Sequence, residues 1–521
     1  MSLLTGAGGV TACAVAVVAC DLMERAFARG MTAADAPKQV GSPGHVELAG
    51  PIWSPGLQVL RWAAYVVLLV FWLALAGRVA FAATATIITG AILLVVSREK
   101  YHYLKEPFVL TDFTFLFHVM RHPDLFYVSW FKAFVIFGIF GGILGLITGW
   151  MLIEPRSLSW ADQGLLALAL LAVGWIAYKA PRLLLHLWPR AFELVVSAPA
   201  VRFVSDLGLL ASLMVTAVAF GVLPTPAPSR RNPAADDVVP DAAREAVVVV
   251  QSESFCDLRR QGAALSLPSF DLLKARAVAR GRLAVPCYGA YTLRPEFALS
   301  TGLGFSALGL DRFHPYLRAS RFSAHALPAR LAAAGWETVF LHPYDPHFFG
   351  RAQAVPQLGF GRFLSLADFD GAARCGPYVA DAELAARMRA ELEAARAAGR
   401  PLYMMAVTME AHDPYGIGRL PDTDDPLEQY AAHLAHADAL LASLVAALDA
   451  STERALLVFY GDHAPLLPGF GMLAEDPRTD YIVIECGRAA ARPALAVAES
   501  ERAPEDLHAL VRRWLSGRDP V

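Results

Sequence analysis

The hydrophobic and polar positions of this chain fall into two regimes that meet near residue 224. Before it, apolar runs recur at 62–77, 79–97, 133–153, 164–178 and 204–223, with 3–20 as a weaker, Ala- and Gly-rich sixth. A helix needs about 20 mostly apolar residues to cross a bilayer. FVIFGIFGGILGLITGWML (134–152) has no charge and no polar face, unlike an amphipathic helix lying on a soluble core. Segment 3–20 lacks a basic stretch before it, so it reads as a span and not as a cleaved signal peptide. The pattern therefore predicts a polytopic helical membrane domain of five or six spans over 1–223.

PTPAPSRRNPAADDVVPDAARE (224–245) is rich in Pro, Ala and charge and reads as a linker. Beyond it the period changes. AVVVVQSESF (246–255), ETVFLHPY (337–344), LYMMAVTMEAH (402–412) and ALLVFYGDHAP (455–465) are short hydrophobic runs, each ending in acidic, His or hydroxyl residues. Ala-rich helical stretches at 380–399 and 428–449 separate them. Strands alternating with helices predict an α/β domain over 246–521 with a mostly parallel sheet. In such sheets ligands bind at the carboxyl ends of the strands, where these polar residues fall.

Composition refines this picture. The chain is 56% hydrophobic and 18% charged, with a formal net charge of −3, so no basic field points to nucleic acid. One set of inter-span loops holds Arg25, Arg29, Lys38, Arg61, Arg98, Lys100, Lys105, Arg121, Lys132, Lys179, Arg182, Arg190 and Arg202, whereas the opposite set holds Arg78 and Arg156. The positive-inside bias places the first set in the cytoplasm, and the N-terminus and the second domain on the opposite side of the membrane. Of six cysteines, Cys13 and Cys20 read as packing residues. Cys256, Cys287, Cys375 and Cys486 leave one or two disulfides open, and none has the spacing of a CxxC zinc or redox site. The loop YHYLKEPFVLTDFTFLF (101–117), with Glu106, Pro107 and Asp112, is either an amphipathic interfacial helix or a lid near the lipid surface.

The candidate chemistry sits at the strand ends. Asp462 and His463 in GDH (461–463), joined by Glu253 in QSESF, supply oxygen and nitrogen ligands for a divalent cation with open positions. Thr292, in CYGAYTLRPEFALSTGLG (287–304), stands at a turn into a helix. It is either an N-cap or a nucleophile whose hydroxyl a neighbouring metal makes more acidic.

The ordered set Glu-Ser-Phe (253–255), Thr292 with Glu-Phe (296–297) and Thr-Gly-Leu (301–303), His342 with Arg351, Glu-Ala-His-Asp-Pro-Tyr (410–415) and Gly-Asp-His (461–463) resembles the lipoteichoic acid synthase group of the alkaline phosphatase and sulfatase superfamily. The resemblance covers 246–490 and, more loosely, the membrane half. It implies that Glu253, Thr292, Asp462 and His463 hold a divalent metal, usually manganese with magnesium or zinc as alternatives, and that Thr292 is the nucleophile. It implies substrate contacts for His342, Arg351 and His412, with Phe349 where the pattern often has Trp. The implied reaction is transfer of phosphoglycerol from a phosphatidylglycerol-like lipid to a periplasmic glucan-like glycan or a glycerophosphate polymer, through a phospho-threonine, with His412 assisting proton transfer. Departures exist: Thr292 is followed by Leu293, Arg294 and Pro295, and His342 by Pro343. Arg294 is either an extra anion contact or an ion-pair partner of Glu296. No formylglycine motif surrounds Cys287, which argues against a sulfatase. Phosphoethanolamine transfer and a non-catalytic polymer-binding role remain as alternatives.

Overall fold

The computed structural model describes residues 7–31, 54–115, 121, 130–222, 245–469, 476–490 and 497–518. The linker expected at 224–245 lies, apart from Glu245, outside these residues, as do the start of segment 3–20 and the last two positions of the loop 101–117. Two compact units divide the chain, with the main break at Thr225–Pro226.

In the first unit the helices Pro55–Ala76, Val79–Leu104 and Trp160–Lys179 are long and apolar enough to cross a membrane. Trp130–Ile153 covers the uncharged run, and Ala7–Gly30 covers the weaker first segment. The helix Pro426–Ser451 passes the same test of length and composition but belongs to the second unit, where Leu434, Leu441 and Leu448 join the sheet's core.

The expected span 204–223 is not one straight helix. Ala200–Leu207 and Leu209–Val222 meet at a 113° bend, where Gly208 has φ +81°. A Cβ at Gly208 would lie 2.0 Å from a Glu24 oxygen. Glu24 is held there because its Oε1 accepts from the Leu210 N–H (3.1 Å), capping the second half-helix with a negative charge. Arg61, expected in a loop, lies inside Pro55–Ala76 instead, pairing with Asp21 (2.9 Å) and Glu24 (3.4 Å) and donating to the Ser205 carbonyl (3.2 Å). The helices extend further than their apolar runs because these charges satisfy one another.

The loop after Val79–Leu104 does not continue as one helix through residue 115. Lys100 Nζ binds Asp112 (2.6 Å), Glu106 (2.9 Å) and the Pro107 carbonyl (3.1 Å), and a short 3-10 turn, Leu110–Phe115, follows.

The second unit is built on a seven-stranded sheet in the order β2-β9-β8-β1-β7-β3-β4. The strands are β1 (Ala246–Ser252), β2 (Ala279–Leu283), β3 (Glu337–Leu341), β4 (Arg362–Leu364), β7 (Leu402–Val407), β8 (Ala455–Gly461) and β9 (Thr479–Cys486), with a separate hairpin of β5 (Arg374–Cys375) and β6 (Tyr378–Val379). β8, β1, β7, β3 and β4 run parallel, and β9 is antiparallel to β8 and to β2. Every residue of β1, β7 and β8 is buried, which explains their unbroken hydrophobic runs: helices cover both faces. Val248, Met404 and Leu457 face a core shared with Asp381–Ala397 and Pro426–Ser451. Met405, one step along, meets Ser300 of the helix Leu293–Thr301, which packs on Pro504–Leu515. All six cysteines are free, so no disulfide forms among Cys256, Cys287, Cys375 and Cys486.

One packing contact has a pH signature. His508 is buried against Leu293–Thr301, with Nδ1–H donating to the Leu299 carbonyl (2.7 Å), and burial lowers its pKa to about 4. The folded state thus prefers the neutral ring. Its contribution is complete above the unfolded value near 6.5 and is lost as pH falls toward 4, about 3 kcal/mol in all. In thermal unfolding of the full-length protein in detergent, wild type should lose stability between pH 6.5 and 4 more steeply than His508→Asn, which keeps a donor but has no proton to gain. Parallel profiles would reject the assignment.

Candidate active site

Strand register assembles the site. Ser252 of β1 lies opposite Gly461 of β8, so the residues that follow, Glu253 and Asp462, emerge side by side at the carboxyl end of the sheet. Gly461 is required: a Cβ there would stand 1.9 Å from the Phe255 carbonyl oxygen. Ser254 turns the chain with φ +54°, an uncommon conformation that concentrates at functional sites. Its N–H donates to Asp462 Oδ1 (2.8 Å) and its hydroxyl to Glu253 Oε1 (3.0 Å). The Glu253 N–H donates to Thr408 Oγ1 (2.9 Å), just past β7.

His463 Nε2 lies 3.3 Å from Glu253 Oε1 and 3.6 Å from Asp462 Oδ2. Burial would raise the pKa of Glu253, but the charges of His412 and His463 hold it at about 2. Burial, reinforced by Glu253, lifts Asp462 to about 6. For His463 burial works downward, yet Asp462 and Glu253 prevail and raise it to about 10.

Thr292 precedes the helix Leu293–Thr301, after Tyr291 with φ +66°. Its hydroxyl makes no capping bond to the helix, so the N-cap alternative is set aside. The hydroxyl stands beside the Asp462 carboxylate, and the Thr292 carbonyl accepts from Gln251 Nε2 (3.1 Å).

The donor set fits a divalent cation. Glu253, Asp462 and His463 each offer a buried ligand atom within 4.8 Å of the others. Asp462 Oδ2 is buried with no partner in hydrogen-bonding geometry, which is costly unless another group fills the place. A carboxylate pair and an imidazole suit Mn²⁺, Mg²⁺ or Zn²⁺.

The other expected residues fall into two groups. His342 follows β3 and is buried, with Nδ1 3.1 Å from the Val407 carbonyl. A carbonyl only accepts, so Nδ1 carries the hydrogen and Nε2 holds a lone pair. Burial, then the nearby Arg351, lowers its pKa, so the ring is neutral. His412 lies in the loop after β7 and is partly exposed, with Nδ1 2.6 Å from the Asp413 carbonyl. Arg351 is 1% exposed and forms a two-pronged ion pair with Glu296 (Nη2–Oε2 2.9 Å, Nε–Oε1 3.3 Å). Tyr316 also donates to Glu296. Arg351 is therefore bound into a protein pair as well as lying close enough to the site to depress His342. Phe349 is buried with φ +57°, its ring 5.2 Å from the Arg351 guanidinium. Arg294 donates to the Phe313 carbonyl (3.3 Å) and stacks over Tyr291 at 4.1 Å.

Two residues that hold this arrangement, Ser254 and Thr408, are not among the candidates drawn from the sequence. Ser254 was visible in QSESF; Thr408 carried no signal, because its role depends on β7 lying next to β1.

The family profile described as sulfatase matches residues 245–510, the whole of the sheet and its helices. A capsular polysaccharide biosynthesis protein, RkpI, of Rhizobium meliloti (strain 1021) is 33% identical over 454 residues, covering 82% of this chain and 81% of its own. A putative cyclic β-1,2-glucan modification protein of the same strain is 26% identical over 42% of this chain and 36% of its own. Among solved structures, the integral membrane lipooligosaccharide phosphoethanolamine transferase A of Neisseria meningitidis is similar with a TM-score of 0.50 at 13% identity, covering 88% of both chains. That likeness spans membrane helices and sheet domain together and concerns the fold. With the profile over half its length and a relative matched over about four-fifths of both chains, the chain belongs to the sulfatase family of the alkaline phosphatase superfamily, in a form carrying membrane-spanning helices.

Proposed function

We propose that this protein is a divalent-metal-dependent phosphotransferase that moves phosphoglycerol from a phosphatidylglycerol-like lipid to a glycan, with Thr292 as the nucleophile and the sheet domain on the periplasmic side of a bacterial inner membrane. The observation that carries the reading is the Thr292 hydroxyl, free of any capping role, beside the buried Glu253, Asp462 and His463. Glu253, Asp462, His463 and Thr292 would hold the cation, for which we favour manganese. Such a cation supplies a Lewis acid that neutralises phosphoryl charge and makes a nearby hydroxyl more acidic.

The residues divide the remaining work. Thr292 Oγ, its proton lost to water, forms a bond to phosphorus as the bond to the diacylglycerol oxygen breaks. His412, partly exposed, gives that oxygen its proton. The acceptor hydroxyl then forms the new bond to phosphorus, His412 takes its proton, and Thr292 Oγ leaves. Neutral His342, with a lone pair on Nε2, suits accepting from a head-group hydroxyl. The relatives' names concern a capsular polysaccharide and a cyclic β-1,2-glucan; both are glycans, which supports a glycan acceptor over a glycerophosphate polymer. The absence of a formylglycine motif around Cys287 separates the reading from sulfate-ester hydrolysis.

The test is intact mass of the full-length protein incubated with manganese and phosphatidylglycerol or, separately, phosphatidylethanolamine. A phosphoglycerol adduct with released diacylglycerol is expected. A phosphoethanolamine adduct alone would transfer the mechanism to the other head group. Neither adduct, with no diacylglycerol, would reject transfer.

Metal binding itself should release protons. His463 holds one at neutral pH, with a pKa of about 10, and a cation ligand must be deprotonated. Calorimetry at pH 7.5 in two buffers of different ionisation enthalpy should show about one proton released per manganese bound. In Asp462→Asn, binding at this site should weaken more than about 100-fold, beyond what losing an outer-shell partner costs. Unchanged affinity would exclude Asp462 as a ligand.

A further inference from the structure

We propose a second metal site in the sheet domain, formed by Cys375, Glu410, His433 and His436 and suited to Zn²⁺. These side chains come from separate places in the chain. Cys375 ends β5 of the small hairpin, Glu410 lies just past β7, and His433 and His436 sit one turn apart on the helix Pro426–Ser451. A three-residue spacing puts both rings on one helix face. Glu410 Oε1 is 2.9 Å from His433 Nδ1 and 2.5 Å from His436 Nδ1. Cys375 Sγ is 3.9 Å and 4.0 Å from the same two nitrogens. All four ligand atoms lie within 4.8 Å of one another.

Zinc bonds of about 2.0 Å to nitrogen or oxygen and 2.3 Å to sulfur put tetrahedral neighbours roughly 3.3–3.5 Å apart. The cluster brackets that spacing, so small side-chain adjustments suffice. A thiolate, two imidazoles and a carboxylate make a closed four-ligand set, as in structural zinc sites. The sulfur and nitrogen donors select against Mg²⁺ and Ca²⁺, which take oxygen. Glu410 and His433 are buried, whereas the His436 side chain is 51% exposed, which leaves a path for the ion.

The surroundings suggest what the site does. The Glu410 Oε2 oxygen accepts from the Asp381 N–H (2.7 Å), which orients the carboxylate. Arg419 Nη2 donates to the carbonyls of Glu410 (2.7 Å) and His412 (2.8 Å). An ion here would tie the hairpin, the end of β7 and the long helix together, two residues from His412. It has one cost: metal on His433 Nδ1 moves the ring hydrogen to Nε2, so the 3.4 Å contact from Arg419 Nε to that atom must be given up.

Cobalt is the probe, because thiolate ligation gives a near-ultraviolet charge-transfer band. The full-length protein is stripped with chelator and titrated with Co²⁺. The band should appear in wild type and in Asp462→Asn, vanish in Cys375→Ser, and need more than about 100-fold more cobalt in His436→Ala, where a ligand and not an outer-shell partner is lost. His436 is half exposed, so that variant tests the site even if Cys375→Ser misfolds. No band in wild type, or a band that survives Cys375→Ser, would overturn the proposal. The Asp462→Asn arm keeps this result separate from the fate of the active-site reading.

Discussion

Thr292→Ala should abolish the adduct and lower transfer by about 10⁴-fold or more, while leaving the fold and the neighbouring ligands intact. Losses of that order follow removal of a covalent nucleophile, because no other group replaces the bond it makes. The structure sharpens the expectation in two ways. The Thr292 hydroxyl does not cap the helix Leu293–Thr301, so its removal should cost well under about 1 kcal/mol, the usual value of an N-cap. Glu253, Asp462 and His463, the other three proposed ligands, stay in place, so manganese should still bind, though more weakly. Thr292→Ser keeps a hydroxyl and should retain measurable transfer. Head-group release from radiolabelled lipid, melting temperature and manganese binding together check this. A Thr292→Ala protein that is fully active would remove the covalent step. One that has lost stability would make Thr292 a structural residue, and one that no longer binds manganese would make it a cation ligand first.

Arg351→Ala should destabilise the sheet domain by about 3–5 kcal/mol, the cost of leaving a buried charge without its partner. Glu296 is completely buried, and Arg351 and the Tyr316 hydroxyl face its carboxylate. For a domain of this size the melting temperature should fall by roughly 10 °C. The double variant Arg351→Met/Glu296→Leu removes both charges and should recover most of that loss, since apolar residues of similar volume often replace a buried pair at little cost. The double variant also separates two roles. If Arg351 contacts the substrate phosphate as well as Glu296, stability returns and transfer does not. If both return, Arg351 is a packing residue. If neither returns, the coupling drawn between the two side chains is wrong.

Much of this protein can be read in one dimension. The apolar runs announced helices of membrane length because a bilayer sets a minimum length and forbids uncompensated charge. The β-branched run of β1 and the apolar run of β8 announced buried parallel strands, and the polar residues ending them announced the site, since a chain leaving a parallel strand presents its next residues at one edge of the sheet. The GDH motif even carried its own geometry, in a glycine with no room for a Cβ and an aspartate following it.

What sequence could not supply depends on which elements become neighbours. Arg61 read as a loop charge until Asp21 and Glu24, roughly 40 residues earlier in the chain, were seen against it. The apolar run 204–223 gave no sign that its helix breaks at Gly208. Arg351 and Glu296, 55 positions apart, and the quartet of Cys375, Glu410, His433 and His436 have no local signature, because each ligand set is closed by packing. Local pattern determined which segments are helix, strand or span and where polar residues emerge, since solvation and backbone geometry act over a few residues. Which charges pair, which histidine stays neutral and which side chains could share an ion was decided by tertiary structure, because electrostatic and coordination energies depend on distance in space and on exclusion of water.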